Sequence, residues 1–190
     1  MSLQGFFLTK DYDVYGLDGS LKATERIHIT RQSNSNTDFA HSYKFRGLLA
    51  DDTQIETGDL VQYGDDKLLV TAFRHTDFMN TNTANMWLCD TVCSVYRLKS
   101  KFVGNQKSGT ELVPILEDVP CVQQYTNGKM KYYDAGLLES TTKLVYVQHT
   151  ADIELTDRLV IDGRNYQVDS ISTSIKNVLA LQCSDDKRAL

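Results

Sequence analysis

The sequence predicts an all-β protein made of two similar small β-barrel or β-sandwich modules with little helix. Three observations lead there. Apolar residues recur with period two or in short strand-length runs, Gly-containing turn pairs separate these clusters, and a strand–turn–strand pattern in the second half has a fainter counterpart in the first.

The strands are legible in order. Glu25 to Arg31 alternates at Ile27 and Ile29, and Lys67 to Phe73 is an apolar run bounded by polar residues. Lys143 to Gln148 and Val178 to Cys183 are further stretches of strand length. Between them stand Asp18-Gly19, Tyr63-Gly64-Asp65-Asp66, Asn127-Gly128 and Asp162-Gly163, which supply the positive φ that tight hairpin turns need. No window of helical length spaces its apolar residues by threes and fours. The best helical candidate, Asp134 to Thr141, is one or two turns at most.

Placing Ile55 on Ile153 sets an offset of 98 residues, which runs without a gap until Phe73 meets Ile171. Ile55/Ile153, Glu56/Glu154, Asp59/Asp157 and Val70/Val168 are identical. Val61/Leu159, Tyr63/Ile161, Leu68/Tyr166 and Phe73/Ile171 are apolar in both copies, on either side of a Gly-containing turn. A duplicated unit accounts for the pattern, and so does a generic hairpin used twice. Duplication would divide the chain into modules at 1–100 and 101–190, with Lys101 to Thr110 as the linker because it gathers Gly104, Asn105, Ser108 and Gly109. Each module alone has a small core, so packing together or oligomerising would bury more apolar surface.

The longest expected loops are Ser33 to Asp38 and Thr76 to Asn85. Phe78, Met79 and Asn82 in the second are the candidate contacts to a partner or neighbouring subunit. That loop reads either as a solvated tip whose apolar residues fold back, or as a docking loop, since aromatics and Met are enriched at interfaces.

Composition narrows the class. The chain has 190 residues, 41% hydrophobic and 24% charged, as in ordinary globular proteins. It contains no apolar run long enough to span a membrane as a helix. Its first residues lack a basic region and reach Lys10 too soon for a signal peptide, so a cytoplasm-like compartment is expected. A net charge of −5 argues against a dedicated nucleic-acid binder, though DNA could still pass through a lumen.

Chemistry is hard to find. Cys89 and Cys93 form the only close cysteine pair, Cys121 and Cys183 stand apart, and His28, His41, His75 and His149 are scattered. That spacing does not suit zinc, and four reduced, mostly buried thiols are expected. Nucleotide-binding and common hydrolase signatures are absent. Cys121 with His149 as base is imaginable, but a buried strand cysteine fits better. Asp51-Asp52, Asp65-Asp66 and Asp185-Asp186 read as solvated acidic turns because they lack the alternating oxygen ligands of a calcium loop. Asp157-Arg158 reads as a local turn leading into a strand, with an exposed ion pair open to Arg158. No catalytic residue, metal or cofactor is expected.

One resemblance stands out. Tyr146, Asp152-Ile153, Asp157-Arg158-Leu159, Ile161, Gly163-Arg164, Tyr166, Val168 and Ser170-Ile171, followed by Val178 to Cys183, resemble the tailed-phage head–tail joining proteins, the stopper or head-closure family. The upstream Asp118-Val119-Pro120-Cys121 segment looks like the extended piece that precedes this stretch in such proteins. The match lies mainly in residues 141–187, with an echo between Asp51 and Phe73. Family members are small β-barrels and often a single module, whereas this chain has length for two.

The resemblance implies a structural virion protein of the neck, found in the virion and in the host cytoplasm during assembly. It would form a homo-oligomeric ring, contact the portal or adaptor and tail proteins, and retain packaged DNA. Tail completion or baseplate attachment is the near alternative. A soluble β-barrel ligand-binding or enzymatic module, using the carboxylate-rich turns and His149, is the further one.

Overall fold

A computed structural model describes residues 10–32, 44–76, 81–104 and 106–188. The first module comprises β1 (Lys10–Tyr15), β2 (Leu21–Arg31), β3 (Lys44–Leu49), β4 (Leu60–Tyr63), β5 (Asp66–Thr76) and β6 (Thr81–Cys89). They close in the order β1-β2-β3-β6-β5-β4, with β4 returning to β1. The second comprises β7 (Thr91–Val103), β8 (Gln106–Tyr125), β9 (Lys143–Gln148), β10 (Arg158–Ile161), β11 (Arg164–Ile175) and β12 (Val178–Asp185). Counted from its own first strand, the second barrel has the same strand order as the first, closed by β10 on β7. Every pairing among the described residues is antiparallel, and each ring of six strands closes on itself.

The 98-residue offset holds in the hydrogen-bonded register. Leu60 faces Leu69 and Tyr63 faces Asp66 in β4–β5, while Arg158 faces Gln167 and Ile161 faces Arg164 in β10–β11. Both long strands break register at the same place, between Val70 and Ala72 and between Val168 and Ser170. Asp162 (φ 50°) and Gly163 (φ 73°) make the second copy's turn the type that needs positive φ at both centres. Gly64 (φ 65°) leads the two-residue turn of the first copy.

Period-two patterning fills each interior from alternate positions. Val14, Ile27, Leu68, Val70 and Met86 are sealed inside the first barrel, and Val95, Val145, Leu159, Val168 and Leu181 inside the second. Each such side chain stabilises the fold by roughly 1.5–3 kcal/mol relative to exposure. A third cluster joins the barrels: Leu60, Leu69 and Cys89 meet Val122 and Val178, with Trp87 edge-on to Tyr146 at 4.8 Å.

Several expectations need correction. The sheets change at Asp90 rather than at residue 100, because β7 from Thr91 onward belongs to the second barrel. Lys101 to Thr110 is not a linker but the end of the β7–β8 hairpin. Its Gly residues signal a turn, and turn chemistry alone does not tell a hairpin from a boundary. Asp134 to Thr141 is not helical; among the described residues the helix, α1, is Gly128–Tyr133. Asn127 caps it by accepting from the Met130 N–H at 2.8 Å, so the Asn127-Gly128 turn signal marks a helix start. Asp134 then accepts from the Gly136 N–H at 3.0 Å, a local bond that competes with further helix.

Candidate functional site

The repeated turn is built around a buried carboxylate. Asp59 Oδ2 accepts the Glu56 N–H, and Asp157 Oδ2 accepts the Glu154 N–H, both at 2.8 Å. The backbone closes around them alike, Gly58 and Thr156 donating to the Val70 and Val168 carbonyls, again both at 2.8 Å. Each carboxylate is 2% exposed and has a cation. For Asp59 it is Lys22 Nζ at 3.0 Å; for Asp157 it is Arg97, through Nε at 3.0 Å and Nη2 at 2.9 Å.

Arg97 also reaches Asp152 and Glu154, the latter at 2.9 Å. Hydrogen bonds from its guanidinium to Asp157 hold it firmly in the charged form, ahead of the opposing effect of burial. This clamp sits at the root of an arm. β10 pairs with β7 only as far as Tyr96, and β9 pairs with β8 only from Val122. Beyond Arg97, β7 is paired to β8 alone, out to Val103 opposite Gln106. Six residues of extended chain reach about 20 Å. Further along β8, Ile115, Leu116 and Val119 pack on the second barrel's core.

The arm has two unlike faces, since opposed residues in an antiparallel pair point the same way. Tyr96, Leu98, Leu112 and Pro114 share one with the 61%-exposed Phe102, and Arg97, Lys99 and Glu111 share the other with Val113. A two-stranded ribbon is marginal by itself, so the Arg97 clamp and an apolar face both bear on how it is held.

Beside the arm root, Arg158 Nε donates to Asp186 at 2.6 Å, and Arg188 binds both oxygens of the same carboxylate at 2.8 and 2.7 Å. Its bonds with Arg188, opposed by burial and reinforced by Arg158, hold the Asp186 carboxyl far below the usual carboxylate range. Arg158 is therefore a buried partner and not the exposed one expected, and Asp186 is not part of a solvated acidic turn.

The remaining sequence candidates are dispersed. Phe78 and Met79 lie outside the described residues, as does the Ser33–Asp38 stretch. Asn82, expected on a docking loop, is instead 4% exposed on β6. Its amide donates to the Ala50 and Asp51 carbonyls and its oxygen meets His75 Nδ1 at 2.7 Å, because the alternation of β6 turns it inward. Thr81 to Asn85, read as loop, is strand. All four cysteines are buried free thiols. Burial pushes Cys89 and Cys183 up to about 12, and Cys121, whose thiol is hydrogen-bonded with that of Cys93, rises as well, which opposes thiolate formation. His149 is exposed, so the imagined Cys121–His149 pairing joins a sealed thiol to a surface imidazole.

Sequence reading also missed Lys143, which is 1% exposed. Its Nζ lies 4.4 Å from the Tyr125 ring and 4.5 Å from the Tyr166 ring and donates to Gln123 at 2.6 Å. The two flanking rings and one amide oxygen let a cation be enclosed without a carboxylate bonded to it. No protein-family model matches the chain, and no curated protein matches it.

Proposed function

We propose that the protein is a structural virion component, a neck or head–tail connector that works by docking rather than by chemistry. The observation that supports this most is the arm. A rigid pair of fused barrels carries a clamped β-ribbon with an apolar face and an exposed Phe102 at its end. Aromatic anchors on projecting elements suit protein–protein contact. The likeness of residues 141–187 to head–tail joining proteins supports the particular place, between the portal or its adaptor and the tail.

On this reading the two barrels act as one stiff spacer, because the apolar junction and the bonds across it resist hinging. The subunits would form a homo-oligomeric ring, and the DNA would at most pass through its lumen. Purified protein mixed with portal or tail complexes should add a stoichiometric ring visible by electron microscopy. Absence of binding to every virion component tested would refute the reading.

A further inference from the structure

The two barrels are consecutive in sequence. Among the described residues the chain passes from one to the other once, at Asp90, between the end of β6 and the start of β7. Cys89 pairs with Lys67 in the first barrel and Thr91 with Cys121 in the second, so a single residue joins two rings of strands. Two peptide steps span at most about 7 Å, which leaves the link no slack.

The rest of the junction is built like a contact between separate molecules. Leu60, Leu69 and Cys89 meet Val122 and Val178, and Trp87 stands edge-on to Tyr146. Gln148 donates to the Gly16 and Gly58 carbonyls at 3.3 and 2.8 Å, Thr150 to the Leu17 carbonyl at 2.6 Å, and Asn177 to the Thr57 carbonyl at 3.0 Å. Apolar packing accompanied by direct hydrogen bonds is the ordinary composition of a protein–protein interface. The bonded partners stand 90 to 133 residues apart, so their fit depends on the two surfaces and not on local chain.

We propose that this junction also forms between copies: the chain opens at Asp90, and its second barrel docks on the first barrel of a second copy of this chain through the same residues. The inference rests on the self-assembly part of the function proposed above, and it names the surfaces that carry it.

Three features favour a second copy as the occupant. The two surfaces are already complementary, since each is fitted to the other within one chain. A single crossing lets a whole barrel transfer without unthreading a strand. The short link is the third feature, because links without slack invite exchange between copies. Opening it releases Asp90 Oδ1 from the Gln123 N–H at 3.2 Å, an exposed bond that water replaces at little net cost.

Closed and exchanged chains make the same contacts, so the link and the concentration set the balance. A short tether presents the two surfaces to each other at roughly millimolar effective concentration, which favours the closed chain in dilute solution. Copies gathered on a shared platform meet the opposite condition. Two chains that trade barrels make a dimer, and successive transfer around a closed set makes a ring.

The test uses the full chain. Leu17→Cys and Thr150→Cys are placed in separate chains, one of them labelled with nitrogen-15. The bond from Thr150 to the Leu17 carbonyl puts these positions face to face across the junction. The four native thiols are buried, so a short bis-maleimide acts on the added ones. The two proteins are unfolded, refolded together at high concentration, diluted and treated with the reagent. Mixed-isotope links between positions 17 and 150 are expected, and a closed chain, holding only one of the two thiols, cannot form them. Inserting Gly-Ser-Gly-Ser after Asp90 should lower the exchanged fraction by about tenfold in sedimentation, because a relaxed link favours the closed chain. Deleting Asp90 should raise it, and the insertion decides the matter if the deletion fails to fold.

The inference is overturned by absence of the link between 17 and 150, by oligomers that form without it, or by an exchanged fraction indifferent to the insertion. A closed monomer that still adds to portal or tail complexes would also overturn it, while leaving the connector function standing. Exchange in a protein that binds no virion component would uphold it and remove the connector function instead.

Discussion

Gly58 and Thr156 occupy the same turn position in the two barrels, at φ 97° and 71°, yet only Gly58 has another barrel against it. A Cβ on Gly58 would lie 2.4 Å from the Asn177 Cβ and 2.6 Å from the Asn177 carbonyl oxygen. Asn177, itself at φ 61°, donates to the Thr57 carbonyl at 3.0 Å, so it is tied in place. Thr156 is exposed, and its carbonyl accepts from the Arg188 guanidinium at 2.9 Å.

Unequal effects are therefore expected at the two positions. Gly58→Ala combines left-handed strain with a steric clash and should destabilise the protein by about 2–4 kcal/mol. Thr156→Gly removes the strain at some cost in chain entropy and should change stability by less than about 1 kcal/mol. Thermal unfolding of the two variants decides it; equal losses would show that Asn177 yields.

The two buried carboxylates should differ in what their removal costs. Asp157 holds a bidentate arginine that is 18% exposed, whereas Asp59 holds one lysine nitrogen at 29% exposure. Asp157→Ala should cost about 3–4 kcal/mol and Asp59→Ala about 1–3 kcal/mol in denaturant melts, because bidentate charged bonds are the stronger and each variant strands a backbone N–H.

Arg97→Ala should act on the arm more than on the barrels. Amide exchange in residues 98–103 and 106–112 should speed up, while Val145 and Leu181 in the second barrel's core stay protected. Uniform exchange across the barrel would mean that the arm folds with the core as one unit.

Acid should find a weak point at Asp186. Its folded carboxyl titrates below the unfolded range, so its contribution is present above about pH 4 and is lost as pH falls toward the lower folded value. Wild-type stability should drop between pH 5 and about pH 2, and Asp186→Asn should flatten that slope while lowering stability at pH 7. Parallel slopes in the two proteins would be the contrary result.

Alkali should work through the thiols. Burial pushes Cys89 and Cys183 up to about 12, against about 8.5 unfolded, so the unfolded chain releases those protons first. Stability should fall as pH rises from about 8.5 toward 12. In the native protein an aromatic disulfide reagent should find no reactive cysteine, and in denaturant it should find all four. Fast native labelling would place a thiol at the surface.

By itself the sequence determined the all-β class and the interior of each barrel, because alternating apolar residues leave one face of a strand no stable place but a core. It also determined the repeated turn, since Asp59/Asp157 and Val70/Val168 mark a carboxylate and a strand whose backbone bonds recur in both barrels. Barrel closure, the division at Asp90 and the arm beyond Arg97 were decided only by the tertiary structure. Local alternation is the same in a strand with two neighbours as in one with a single neighbour. Arg97 gives no local sign of its role because its partners lie 55 to 60 residues away. The difference between Gly58 and Thr156 is of the same kind: the turn explains why both have positive φ, and only the second barrel explains why one of them must be glycine.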